Sequence, residues 1–440
     1  MPSDEVSRET IAAIATPAGR GGIGVVRLSG TGVPGIAKKI LGGLPRRRHA
    51  TLAVFRDARG ERIDEGIALY FAAPHSYTGE PVLELQGHGG PVVMQLLLAA
   101  CLDAGARLAE PGEFTRRAFL EGKLDLAQAE AVADLIDAAS REAARCALRS
   151  LSGEFSTAIH VLGAQLIELR ALTEAMLDFP EEEVDAVHRE DAARRLAAAR
   201  AQLEDVLARS RQGSLLRSGI HVVLAGAPNV GKSSLLNRLA GEERAIVTPI
   251  PGTTRDALRE PIQIEGVPLI VVDTAGLRAA SDMVEQLGIE RTQRELERAD
   301  LVLAVHEAGG PDAPFDDLPA GMQRIDVYNK IDLAPRFSAP AGGVAVSAKT
   351  GEGLDALRRA ILAAAGWSST GESVFLARER HLRALEVARG PLEAAGAQLP
   401  RWEFFAEELR LAHMALGAIT GEFTADDLLG EIFSRFCIGK

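Results

Sequence analysis

The stretch Gly226-Ala-Pro-Asn-Val-Gly231-Lys232-Ser233 carries the clearest chemistry in the chain. It has the G-x-x-x-x-G-K-[ST] spacing, follows the apolar run HVVLA and opens SSLLNRLAG, a helical run expected to stop at Gly241. A loop of this kind wraps a polyphosphate, with backbone N–H groups and the positive end of a helix aimed at the anion. Within it Lys232 brings a point charge to the β- and γ-oxygens, and Ser233 offers its hydroxyl to Mg²⁺. Asn229, Val230 and Ser234 complete the expected cradle.

Three further segments narrow the base. Asp273-Thr274-Ala275-Gly276 closes the apolar run PLIVV, where the carboxylate suits the Mg²⁺ shell through water and the Gly276 amide can meet a γ-phosphate. Asn329-Lys330-Ile331-Asp332 ends another such run, and the Asp332 carboxylate can accept from both N1–H and N2–H₂ of guanine. Adenine lacks that donor pair, so it is disfavoured by ~10⁴–10⁵. Ser347-Ala348-Lys349 follows the last run, where a backbone amide reaches guanine O6. IVTPIPGTTRD supplies Thr254 as a Mg²⁺ ligand with Thr253 beside it. Leu277 stands where small GTPases place a water-orienting Gln, so another polar group must do that work; Asp282 and Glu285 are both at hand. Arg255 and Arg278 read as arginine-finger candidates or as plain surface residues.

PAGRGGIGVVRLSG, residues 17–30, also shows G-x-G-x-x-G spacing. A dinucleotide fingerprint must open a helix, whereas this one runs into the strand-like VVRLS, so it reads as a tight glycine turn between two strands.

Positioning these groups takes 440 residues, enough for two or three domains. With 47% apolar and 25% charged residues the chain reads as globular. The polar, acidic opening MPSDEVSRE is not a secretory signal, and no apolar run approaches a membrane span. Cys101, Cys146 and Cys437 show no C-x-x-C spacing, and the nine histidines no H-E-x-x-H, which argues against disulfides or a transition-metal centre and for a cytoplasmic setting. Cys101 and Cys146 fall on apolar helical faces and are expected in cores. A formal charge of −12 makes a poor general nucleic-acid binder, and RRRH at 46–49 reads as a solvated loop.

Three textures follow one another, predicting an α/β multidomain chain. Residues 1–120 mix short β-rich and helical runs, an α+β unit. Residues 121–215 and 376–440 are helical and are expected to form one discontinuous domain. Residues 216–375 hold GIHVVLAG, PLIVVDTAG, LVLAVH, RIDVYNKID and GVAVSAK, read as buried parallel strands of an inserted doubly wound sheet.

GAPNVGKSSL, IPGTTRD, DTAGLR and NKID resemble the TrmE–Era class of GTPases. ATPAGRGGIGVVRLSG, SYTGEPVLELQGHGGP, PGEFTRRAFLEGKLDLAQAEAVADLI, RQGSLLRSG and the terminal FCIGK narrow the resemblance to its tRNA modification GTPases, the MnmE (TrmE) family, over essentially the whole chain. The resemblance implies an N-terminal tetrahydrofolate-binding and dimerising domain, a central helical domain and an inserted Ras-like G domain. It implies work with an FAD-dependent partner (MnmG, also called GidA) that installs a carboxymethylaminomethyl or aminomethyl group at C5 of wobble uridine in certain tRNAs. It further implies potassium-dependent hydrolysis, with K⁺ held by Asn229, Thr248, Ile250 and Thr253, and with Glu285 orienting water. Arg27, Glu84, Lys123 and Lys440 fall on folate-binding positions; by residue type alone they read as surface or ion-paired groups. A pterin edge suits the Glu84 carboxylate, and a glutamyl tail suits Arg27 or Lys123. Cys437 falls on a cysteine required for modification, which would need a neighbouring cation such as Lys440 to activate it; its bland reading is a small packed side chain. The other function considered is a ribosome-assembly, Era-like switch that binds RNA, which would call for a basic C-terminal domain in place of this acidic helical one.

Overall fold

A computed structural model of the protein describes residues 9–178, 185–242, 261–273, 299–311, 322–368, 374–422, 426–434, 436 and 439. The chain divides into two compact units, one of residues 1–133 and 417–440, the other of 134–416.

In the first unit, strand alternation decides which residues are core. Strands β1 (Ile11–Ile14), β2 (Gly21–Ser29), β3 (Thr51–Arg56), β4 (Arg62–Phe71), β5 (Val82–Gly89) and β6 (Arg107–Leu108) form one sheet in the order β3-β4-β5-β2-β1-β6. All neighbours are antiparallel except β1 and β6. With a side-chain period of two, Val26, Leu28, Leu83 and Leu85 share one face. Helices α1 (Val33–Leu41) and α2 (Pro91–Asp103) cover that face with Ile36, Ile40, Met94, Leu97 and Cys101. Each fully buried leucine there contributes roughly 2 kcal/mol. The alternate residues Ile11 and Ala13 turn to the opposite face, under Phe114 of α3 (Glu113–Leu120) and Tyr77.

The segment 15–20 joins β1 to β2, and β2 begins within the glycine-rich stretch itself, with a register shift between Gly21 and Gly24. It is a strand connection and opens no helix. The C-terminal helix α12 (Asp426–Ser434) sits in this unit, where Leu429, Ile432, Phe433 and Phe436 pack on Leu126 and Ala129 of α4 (Leu126–Ile136). Beyond it, Gly439 lies against the backbone of Ile14 and Ala15.

The second unit joins long helices to a second sheet. Its helices are α5 (Arg141–Leu151), α6 (Glu154–Asp178), α7 (Asp185–Ser218), α8 (Lys232–Glu242), α9 (Leu354–Ala364), α10 (Glu379–Gln398) and most of α11 (Trp402–Thr420). Ser140 caps α5, its hydroxyl accepting from the Ala143 N–H at 3.1 Å. The strands are β7 (Ile220–Gly226), β8 (Pro261–Ile264), β9 (Val267–Asp273), β10 (Leu301–Glu307), β11 (Arg324–Asn329) and β12 (Val344–Ala345). They run in the order β12-β11-β10-β7-β9-β8, parallel throughout except for the edge pair β8–β9. Both faces are covered, so the central strands read as unbroken apolar runs; Leu301 to Val305 are all buried. Helix α8 continues one residue past the expected stop, through Gly241 to Glu242.

Among the described residues no helix is long and apolar enough to cross a membrane, and no group of His, Cys, Asp or Glu could hold a metal ion by itself.

Candidate functional site

The chain leaves β7 for β9 on one side and for β10 on the other, so the carboxyl end of β7 is a point where strand order reverses. Ligands of open α/β sheets bind at such a crevice. The loop 226–231 lies there and feeds directly into α8, whose first turn is closed by Leu235 N–H donating to the Gly231 carbonyl at 2.9 Å.

Two glycines make this loop geometrically possible. Gly226 has φ 157°, and a Cβ on it would stand 2.4 Å from the Val305 carbonyl oxygen at the end of β10. Gly231 has φ 95°, a left-handed value, and a Cβ there would stand 2.3 Å from Asn329 Nδ2. Asn229 also takes a positive φ, 64°, and is exposed at the mouth of the loop. Val230 is buried. Lys232 is buried as well, with Nζ donating to the carbonyls of Gly226 at 2.8 Å and Ala227 at 3.0 Å. Its ammonium therefore sits inside the curl of the loop, the place a phosphate would occupy. Ser233 and Ser234 are exposed in the first turn of α8.

Asn329 ties three segments into one cradle. It is buried at the end of β11, with Nδ2 donating to the Val230 carbonyl at 2.9 Å and Oδ1 accepting from the Ala348 N–H at 3.0 Å. Ser347, also buried, donates its hydroxyl to Asp332 Oδ1 at 2.7 Å and accepts from the Thr350 N–H at 3.1 Å. The Asp332 carboxylate is thereby held through Oδ1. Lys330 has φ 68° and pairs through Nζ with Glu307 Oε2 at 2.9 Å, while Lys349 is exposed. The predicted residues 226–234, 329–332 and 347–349 thus converge on one end of the sheet. Asp273 ends the neighbouring strand β9, and its side chain lies outside the described residues. Thr248, Ile250, Thr253, Thr254, Arg255, Thr274, Ala275, Gly276, Leu277, Arg278, Asp282 and Glu285 lie outside them too.

Glu307 escaped the sequence reading. Its only signal is a carboxylate closing an apolar strand; its meaning depends on the parallel register that sets it opposite Asn329.

The N-terminal unit carries a second candidate cluster. Arg27 and Glu84 face each other across β2 and β5, with Arg27 Nε donating to Glu84 Oε1 at 3.0 Å. The guanidinium lies 5.7 Å from the Tyr77 ring centroid and 5.9 Å from that of Phe114. Burial raises the Tyr77 phenol above its ordinary value, partly offset by its Thr115 bond and by Arg27, so it stays a neutral hydroxyl. Lys123 is exposed beside Gly79, and Lys440 and Cys437 lie outside the described residues. The two residues read separately from the sequence are therefore one ion pair in an aromatic setting. Cys101 and Cys146 are buried as expected, with burial pushing the Cys101 thiol up to about 12. Residues 46–49 are mostly exposed, with Arg47 bridging to Tyr70.

A strand–glycine loop–helix on a doubly wound sheet, with an asparagine lashing the loop to two further strand ends, defines a P-loop nucleotide-binding protein. The family model described as GTP-binding protein TrmE N-terminus matches residues 10–123, and that described as MnmE helical domain matches residues 126–437. A protein of Azoarcus sp. (strain BH72) named tRNA modification GTPase MnmE is 64% identical, covering 98% of each chain. Proteins of the same name from Nitrosomonas europaea and Thiobacillus denitrificans are 60% and 61% identical; they cover 99% and 98% of this chain, and 100% and 98% of their own. The chain belongs to the MnmE family.

Proposed function

We propose that this chain hydrolyses GTP in the service of tRNA modification. The observation that carries the reading is the Asn329 bridge, which joins the phosphate loop at Val230 to the base-facing Ala348 amide in a chain this close to proteins named tRNA modification GTPase. In this reading Lys232 exchanges its loop carbonyls for the β- and γ-oxygens, where its charge stabilises the oxygen that leaves with GDP. Asp332 accepts from the guanine edge and the Ala348 N–H faces O6. Ser233 and Thr254 would hold Mg²⁺, which supplies charge to the phosphates; the exposed Ser233 at the start of α8 suits that role. Asn229, Thr248, Ile250 and Thr253 would hold K⁺, which would supply positive charge in the role of an arginine finger; Asn229, projecting from a left-handed position at the loop mouth, suits it. Glu285, which falls on the family's water-orienting position, is the residue to orient water in place of the apolar Leu277.

The Arg27–Glu84 pair, flanked by Tyr77 and Phe114, offers ring faces and a carboxylate that fit a pterin, with Lys123 suited to an anionic tail. A tetrahydrofolate derivative bound there would supply a one-carbon unit for C5 of the wobble uridine. We place the chain in the cytoplasm as a homodimer working with the FAD-dependent MnmG, and Cys437 in the modification step. The organisation we propose is 1–120 for folate binding and dimerisation, 121–215 with 376–440 as the helical domain, and 216–375 as the G domain.

Mass analysis of wobble nucleosides from cells lacking this protein, complemented by wild type or by Lys232→Ala, tests the reading. Wild type is expected to restore the C5-modified uridine and Lys232→Ala to leave it absent. Normal modification without the protein would reject the proposal.

A further inference from the structure

We infer that Glu307 is a positioning residue for the base-binding side of the cradle, acting through Lys330; the inference rests on the guanine-nucleotide reading of that site. Glu307 is the last residue of β10 and stands opposite Asn329 in parallel register. One residue on, the Ala308 N–H donates to the Asn329 carbonyl at 2.8 Å, and the Gly310 N–H closes a turn on the Glu307 carbonyl at 2.9 Å. The backbone of Glu307 is thus fastened to the strand end that delivers Asn329 and Lys330.

Lys330 follows in a left-handed conformation, φ 68° and ψ 34°, that a lysine seldom adopts. This turns its side chain out of the strand line, and its ammonium meets Glu307 Oε2 at 2.9 Å. The two side chains are 28% and 47% exposed, so they form the rim of the site and not its core. The other base-side groups are fixed by the loops themselves: Asn329 by Val230 and Ala348, Asp332 by Ser347. Within 329–332 Lys330 alone carries a flexible four-carbon stem, and a stem free to rotate makes a poor wall. Anchored at Cα by the strand end and at Nζ by Glu307, the stem becomes a fixed apolar wall next to Asn329 and Asp332, where the base sits. Glu307 itself touches no nucleotide in this account.

An exposed ion pair of this kind is weak in stability terms, so its effect belongs in nucleotide affinity. The test is the dissociation constant of a fluorescent GDP for the full chain, Glu307→Ala, Glu307→Gln, Lys330→Met and the double variant. Lys330→Met keeps the apolar stem and removes the ammonium. Glu307→Ala is expected to weaken GDP binding by up to about fivefold. Glu307→Gln should recover part of that, and in GTP turnover the loss should fall on KM and not on kcat. In the Lys330→Met background Glu307→Ala should have no further effect. Unchanged melting of the nucleotide-free variants shows the fold is intact. Wild-type affinity in Glu307→Ala, or an equal loss with Lys330→Met already present, overturns the inference while leaving the site's reading intact. Failure of the folded wild type to bind GDP overturns that reading, and this inference with it.

Discussion

Asn329 and Asp332 lie three positions apart, yet they do different work. Asn329 uses both ends of its amide on protein atoms, so it holds the cradle together. Asp332 is oriented through one oxygen by Ser347, and in the proposed reading its other oxygen serves the base. Asp332→Asn preserves shape and replaces an acceptor with a donor. Guanine then meets N–H against N–H, while xanthine, with a carbonyl at C2, finds a match. We predict that this variant loses GTP affinity by at least about 10²-fold and gains affinity for XTP; competition binding with the two nucleotides measures it, and an unchanged preference for GTP would count against the role of Asp332. These residues were legible because their types and spacing carry the chemistry in one dimension. Glu307 was not, since an acid closing a strand acquires meaning only when register sets it beside Lys330. Arg27 and Glu84 were legible singly but not as partners, because they lie 57 positions apart and only the β2–β5 ladder pairs them.

At the level of elements, the apolar runs of the second sheet announced five parallel strands, and those five are present. The sixth, Pro261–Ile264, was missed: it is four residues long, begins with proline and pairs antiparallel at an edge, so no long apolar run marks it. In the first unit, α3 is anchored by charge as much as by packing. Glu113 accepts from Arg107 Nη2 at 2.6 Å, from Arg117 Nη2 at 2.8 Å and from the Glu110 N–H at 2.9 Å. Arg117 also reaches Glu80 Oε2 at 2.9 Å, which in turn accepts from Ser29 at 2.7 Å. Burial alone would raise the Glu113 carboxyl, but the Arg107 bond, the Glu110 amide and Arg117 outweigh it and hold the group at about 2. A carboxyl lowered in the folded state contributes stability that is full above its unfolded value near 4.5 and is lost as pH falls towards about 2. The contribution is on the order of 3 kcal/mol. We predict that acid unfolding of the full chain shows this loss between those limits. Glu113→Gln should be less stable at neutral pH and should lose that part of the pH dependence. A pH profile parallel to wild type would show that the network does not hold this carboxyl down.

For the whole molecule, the chain in the proposed reading combines two chemistries: a phosphate cradle at the reversal point of a doubly wound sheet, and an aromatic-lined ion pair on the face of a mainly antiparallel sheet that Phe114 and Tyr77 cover. The family's relatives align with this chain over nearly their full length, at 58–64% identity. If K⁺ supplies positive charge in the role of an arginine finger, GTP turnover of the full chain should be many-fold faster in KCl than in NaCl, because the smaller Na⁺ fits a carbonyl cage poorly. Equal rates in the two salts would remove potassium from the account and leave the nucleotide site untouched. The central claim is that the cradle formed by residues 226–234, 329–332 and 347–349 selects guanine. The most direct measurement is parallel titration of the full-length protein with fluorescent GDP and fluorescent ADP under one set of conditions. Saturable GDP binding, with ADP weaker by about 10³-fold or more, is the expected result. Equal affinity for the two, or no binding of either, would contradict it.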